Sequence, residues 1–122
     1  MAGRKDITIY QGSSFIMHLT LKKGDGTLFP LAGYLARGQI RRHMRSCTAI
    51  QEFTCTILPD SKIDISLTPQ ETGAITAGDS SVDPRSRYVY DIEIYQGTPP
   101  NETAVKRILE GYAYIDPEVT RE

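Results

Sequence analysis

Neither a net surplus of one charge nor a long apolar run marks out this chain as a whole. Over 122 residues, 14 lysines and arginines stand against 15 aspartates and glutamates, a formal net charge of −1. The domain as a whole therefore exerts no bulk electrostatic pull on nucleic acid or on an acidic membrane surface. No apolar stretch approaches the roughly 20 residues of a membrane-spanning helix. The opening MAGRKDITIYQG also lacks the apolar core of a secretory signal, so synthesis in the cytoplasm is expected. Cysteine is scarce as well. Cys47 and Cys55 are the only two, too few for a disulfide framework, and with no leader ahead of them they read as free thiols in a reducing compartment. By the same reasoning Asn101-Glu102-Thr103, formally a glycosylation sequon, reads as a loop tip. A chain of this length suffices for one domain with one core.

What the chain does contain is alternation. Ile7 and Ile9 share a face, and after QGSS the residues Phe15, Met17, Leu19 and Leu21 fall on one side with His18 and Thr20 on the other. KKGDGT then supplies a tight turn, ending the second strand near Lys22. GYLARGQIRRHMR places Tyr34, Ala36, Gly38 and Ile40 opposite Leu35, Arg37, Gln39 and Arg41, and Gly38 inside a strand signals a close approach or a bulge. Phe53, Cys55 and Ile57 alternate with Glu52, Thr54 and Thr56 as a fourth strand. LPDSK turns into a fifth, carrying Ile63, Ile65 and Leu67.

TPQETGAI breaks this period. Thr68 can cap, Pro69 suits the first helical position and Glu71 can close a capping box, so one or two helical turns are predicted. The polar loop TAGDSSVDPRSR follows, then YVYDIEIY with Tyr88, Tyr90, Ile92 and Ile94 opposite Val89, Asp91 and Glu93. After GTPPNET, a last strand from about Val105 to Ile115 points Leu109, Gly111, Ala113 and Ile115 to one face and Ile108, Glu110, Tyr112 and Tyr114 to the other. With Leu109, Ala113 and Ile115 inward, Gly111 is expected where the opposing sheet comes close, and Pro117 ends the ladder because it has no donor. Seven short strands with one helical turn predict an all-β, antiparallel sandwich of immunoglobulin-like outline. That outline is expected without its usual core tryptophan, since the chain has none.

Chemistry is harder to find. A nucleophilic triad needs a histidine held by a third group. His18 sits on a strand and reads as an outward or half-buried residue satisfied locally, while His43 lies among arginines with no carboxylate nearby in sequence. Two histidines and two cysteines match no zinc spacing, Asp79 and Asp83 lack an EF-hand rhythm, and no glycine loop cradles phosphate. No catalytic residue, metal or cofactor is therefore assigned.

The one basic cluster is RRHMR, from Arg41 to Arg45. It can grip phosphate or an acidic protein surface, or simply guard a strand end against sheet-to-sheet pairing. No aromatic residue flanks it closely in sequence, as single-strand nucleic-acid binding would want. Tyrosines are spread over several strands and suit contacts with protein or sugar.

Four stretches together, ITIYQGSSF, DGTLFPLAGYLARGQIR, YVYDIEI and RILEGYAYIDPEVTR, resemble a family of small β-sandwich virion proteins of tailed bacteriophages, associated with tail fibres and baseplates. The resemblance spans nearly the full length, departing at DSSVDPRSR and at the cysteines of CTAIQEFTC. It implies a structural virion part assembled in the host cytoplasm. Its partners would be other phage virion proteins and symmetric copies of itself, with no nucleic acid, membrane or cofactor. The alternatives are a capsid decoration or head-fibre anchoring protein, and a carbohydrate-binding module, which predicts a planar aromatic platform. Candidate partner-binding residues are Arg41, Arg42, Arg45, Tyr112, Tyr114 and Arg121. The end segments MAGRKD and DPEVTRE are expected to be ordered only by a partner.

Overall fold

The computed structural model describes residues 3–43, 48–76 and 86–117. Alternation becomes strand wherever it is sustained: β1 (Gly3–Arg4), β2 (Ile7–Tyr10), β3 (Phe15–Thr20), β4 (Leu35–Arg41), β5 (Gln51–Glu52), β6 (Thr54–Leu58), β7 (Lys62–Leu67), β8 (Ser86–Gln96) and β9 (Thr103–Asp116). The larger sheet runs β1/β2, β9, β8, β4, β5, and the smaller runs β3, β7, β6. The apolar sides of the longer strands turn into one cluster between them, with Met17, Ile63, Ile65 and Leu67 from the smaller sheet against Ile9, Ile40, Ile92, Ile94, Leu109 and Ile115 from the larger. Leu31 and Ile75 plug the cluster from connecting segments. The protein is thus an all-β sandwich. Placing β3–β7–β6 opposite β4–β8–β9, with β5 beside β4, reproduces the strand distribution of immunoglobulin-like sandwiches. At the head of β8 the Tyr88 hydroxyl donates to the Thr76 carbonyl at 2.7 Å, as a corner tyrosine does in that fold.

The helix forms where the capping signals lie. In α1 (Pro69–Gly73) the Thr68 side chain accepts from the Glu71 amide, the Glu71 carboxylate accepts from the Thr68 amide, and proline occupies the first turn. One buried threonine gives this helix its purpose. Thr72 Oγ1 donates to the Ser13 carbonyl at 2.9 Å and accepts from the Gly12 amide at 3.0 Å, pinning the link by which the chain passes from β2 to β3. KKGDGT also turns as expected, with Asp25 accepting from the Thr27 amide and hydroxyl and a single bridge, Lys22 to Leu28, closing it.

Four expectations are corrected. The strand expected to carry Glu52 through Ile57 divides at Phe53: β5 pairs with β4 and β6 with β7, so the chain changes sheets there. The Phe53 amide donates to the Gly38 carbonyl at 2.9 Å, and its ring packs 6.1 Å from both Phe15 and Tyr90. Burying that ring between the layers outweighs keeping one straight ladder. Second, the larger sheet is not wholly antiparallel, because β1 and β2 run parallel to β9. Third, Gly3 and Arg4 are ordered by their own chain, opposite Leu109 and Glu110, not by a partner.

The fourth correction concerns Gly111. What crowds it is this first strand, not the opposing sheet. A Cβ there would collide with the Lys5 carbonyl oxygen and lie 2.7 Å from its carbon. Between β1 and β2 the backbone buckles, and the Lys5 carbonyl turns inward to accept from the Tyr90 hydroxyl at 2.6 Å. Asp6 Oδ1 takes over the ladder by accepting the Tyr112 amide at 3.0 Å. Gly38 does mark a close approach, since a Cβ would lie 3.0 Å from Phe53 Cδ2 and overlap the Ile92 Cδ1 methyl.

Candidate functional site

The inward face of the larger sheet is spent on the core, so its chemistry stands on the outer face. The register sets Arg37 opposite Glu93 and Gln39 opposite Asp91 across β4 and β8, and Asp91 opposite Glu110 across β8 and β9. A one-residue slip at Ile108 then brings Arg107, not Ile108, opposite Glu93. Cross-strand neighbours this close pair when their charges are opposite. Arg37 Nε donates to Glu93 at 2.9 Å and its Nη1 to Glu102 at 2.7 Å, while the guanidinium stacks 4.5 Å from the Tyr95 ring centre. Arg107 bridges Asp91 and Glu110, at 3.2 Å each. Arg41 Nη2 donates to Gln39 at 2.7 Å. Arg37, Gln39, Arg41, Asp91, Glu93, Arg107 and Glu110, with Arg4 and Tyr112, line a groove of about 530 Å³.

The outer face sets its carboxylates against one another. Burial raises Asp91 above the usual carboxylate value, helped by Glu93 and only partly offset by Arg107. The hydrogen bond from Arg37 pulls Glu102 below its usual value. A raised carboxylate adds stability below its unfolded pKa, and that addition is lost as pH rises through its folded pKa; a lowered one adds stability above its unfolded pKa, lost as pH falls through its folded pKa. On acidification through roughly pH 6 to 3, Asp91 therefore contributes a gain and Glu102 a loss. Urea titrations across that range should show Asp91→Asn losing stability more steeply than the parent protein, and Glu102→Gln less steeply. Identical slopes for all three proteins would refute the assignment.

A second depression of about 390 Å³ adjoins the first, sharing Val89 and Tyr112 and adding Arg42, His43, Arg87 and Tyr88. Of the residues singled out in the sequence, Arg41 and Tyr112 line the groove, Arg42 lines the second depression, and Tyr114 lies 6.3 Å from Tyr112, ring centre to ring centre. Arg45 and Arg121 fall outside the described residues, as do Cys47, Asp79, Asp83 and most of the DSSVDPRSR loop. The basic cluster does have aromatic company after all. Arg42 lies 5.2 Å over Tyr88, supplied by a strand distant in sequence, and Arg87, outside the cluster, lies 4.6 Å over Tyr112. Arg37, Arg87 and Arg107 were missed as binding residues, though the outward positions of Arg37 and Arg107 beside acidic strands were the available signal.

Tyr112 and Tyr114 do not form a flat platform for a sugar ring. Their planes are inclined at 55°, and guanidinium groups of Arg4 and Arg87 already stack on Tyr112. His18 is satisfied locally, with Nδ1 2.6 Å from Asp64 Oδ1 on the open face of the smaller sheet, where the two side chains are 73% and 37% exposed. The pair does not line either depression. Cys55 is a free thiol, and burial pushes it up to about 11, which keeps it protonated and poorly nucleophilic near neutral pH. Among the described residues no group of three or more histidine, cysteine, aspartate or glutamate side chains is placed to hold a metal ion, and no helix is long and apolar enough to cross a membrane.

No family model matches the chain, and no characterised protein matches its sequence. Among solved structures it is similar to AggA, the major subunit of aggregative adherence fimbriae type I from Escherichia coli, at 9% identity over 93% of this chain and 89% of that one, with a TM-score of 0.32. At that score the likeness carries no argument about function.

Proposed function

We propose that the chain is a structural component of a tailed-bacteriophage virion, at the tail, baseplate or tail-fibre attachment point, working by contact with other virion proteins rather than by catalysis. The four stretches ITIYQGSSF, DGTLFPLAGYLARGQIR, YVYDIEI and RILEGYAYIDPEVTR support the phage origin. The observation that carries the mode of action is the outer face of the larger sheet, where Arg37, Glu93, Glu102, Asp91, Arg107 and Glu110 hold one another in place. Ordering long side chains at an interface costs about 0.5–1.5 kcal/mol each, and here much of that ordering precedes docking. Arginine and tyrosine are also residues enriched at interfaces.

The reading is tested on particles. Mass spectrometry of purified phage made from a genome carrying this gene should find the chain at a fixed ratio to the tail proteins, and deleting the gene should give particles that lack tail, baseplate or fibre function. His18→Ala should enter particles like the parent protein. Recovery of the chain only from the particle-free lysate, with normal particles after deletion, would remove the proposal.

A further inference from the structure

We infer that the corner around Tyr112 is a seat for a carboxylate-bearing segment of a protein partner, an inference that rests on the assembly reading above and specifies the chemistry of the contact. β9 lies between β8 and β1, so Tyr112 is approached from both sides. Arg87, opposite Tyr114 on β8, brings its guanidinium carbon to 4.6 Å from the ring centre, and Arg4, opposite Glu110 on β1, brings its own to 5.1 Å. One ring thus gathers two cations within about 10 Å of each other. Each is attracted by the ring's negative faces, yet each repels the other.

Among the described residues, their remaining donors are not consumed within the fold. Arg4 has Asp6 at 3.8 Å, both side chains being largely exposed, and Arg87, also exposed, makes no ion pair among the described residues. A planar carboxylate docked on Arg87 accepts a bidentate pair of hydrogen bonds and offsets the repulsion between the two guanidiniums, a geometry that lysine could not offer. Arg42 and His43 line the adjoining depression together with Arg87.

Asp6, Asp91 and Glu110 decide the class of ligand. They border the corner in the β1–β2 link and along β8 and β9, so a nucleic-acid strand, charged at every nucleotide, would run over these carboxylates on a protein of net charge −1. A protein segment presenting one or two aspartates or glutamates can set them on Arg87 without running the length of these carboxylates. Tyr112 and Tyr114 supply apolar area for its neighbouring side chains.

The test is an NMR titration of the folded, isotope-labelled chain with three probes: a capped hexapeptide alternating glutamate and serine, the matching lysine–serine peptide, and a hexamer of deoxythymidine. The glutamate peptide is expected to shift Arg87, Tyr112 and Arg4 resonances to saturation, and the lysine peptide to shift none of them. Arg87→Ala should weaken the glutamate peptide at least fivefold, Arg87→Lys by less, and Lys62→Ala, on the opposite sheet, not at all. Arg87→Gln serves as a second variant should alanine disturb the fold. Shifts centred elsewhere, affinity unchanged in both Arg87 variants, or oligonucleotide binding as tight as the peptide's would each overturn the inference. A chain that enters particles but ignores the peptide sinks this seat alone; one that binds the peptide but never enters particles sinks the assembly reading.

Discussion

Gly111→Ala is expected to cost about 2–5 kcal/mol, combining an overpacked contact with a lost buried hydrogen bond. The added Cβ would occupy the space of the Lys5 carbonyl. That carbonyl cannot simply withdraw, because it is the acceptor for the Tyr90 hydroxyl, and the neighbouring Lys5 amide is itself tied to the Glu110 carbonyl at 2.9 Å. Relief therefore requires the whole first strand to lift from β9. Denaturant unfolding should register the loss, and hydrogen exchange should show Ile7 to Tyr10 losing protection before β8 does. Tyr90→Phe isolates the hydrogen bond and should cost about 1–3 kcal/mol. The Tyr90 hydroxyl is pushed up to about 12 by burial, reinforced by Asp6, so it remains a donor throughout the range of such measurements. If Gly111→Ala lay within about 0.5 kcal/mol of the parent, the scatter typical of surface changes, the inward carbonyl would not be part of the folded state.

The second large effect belongs to Ile92. It is fully buried on the central strand β8, facing Gly38 on one neighbour and Leu109 on the other. Ile92→Ala should cost about 2–5 kcal/mol through lost transfer energy and the cavity left behind. Gly38 makes the expectation sharper. A Cβ at position 38 would overlap the Ile92 terminal methyl, so Gly38→Ala alone should destabilise by about 1–3 kcal/mol. With Ile92 already cut to alanine, the same Cβ enters vacated space. The double variant should be more stable than the sum of the singles by about 0.5–3 kcal/mol. Simple additivity would show that Phe53 and the Asp91 carbonyl, each 3.0 Å from that Cβ, and not Ile92, exclude a side chain there.

Which parts of this architecture were legible in the chain follows from the range of the forces involved. The inward placement of Met17, Ile92 and Leu109, the outward placement of Arg37 and Tyr112, and the helix begun at Thr68 are all readable, because pleat alternation and capping act over two to four residues. The break at Phe53 was not, since Glu52, Phe53 and Thr54 continue the same alternation whether or not the chain changes sheets. Nor was the neighbour of Gly111. The glycine announced a close approach, but its partner, Lys5, is more than a hundred residues away along the chain.

The outer-face site divides in the same way. Arg41, Arg42 and Tyr112 were recognisable as outward residues suited to contact, and the tyrosine count ruled out nothing. That Arg87 and Arg4 would flank Tyr112, that Arg107 would bridge Asp91 and Glu110, and that Tyr88 would lie beneath Arg42 depended on which strands became neighbours. From the sequence alone came the alternation of the longer strands, the face most of their residues take and the position of the one helical turn, all consequences of local backbone geometry. Tertiary structure alone decided the parallel docking of the first strand on the last, the split at Phe53 and the meeting of arginines around one ring, because strand pairing is settled by burial and hydrogen bonding between segments that no local pattern connects.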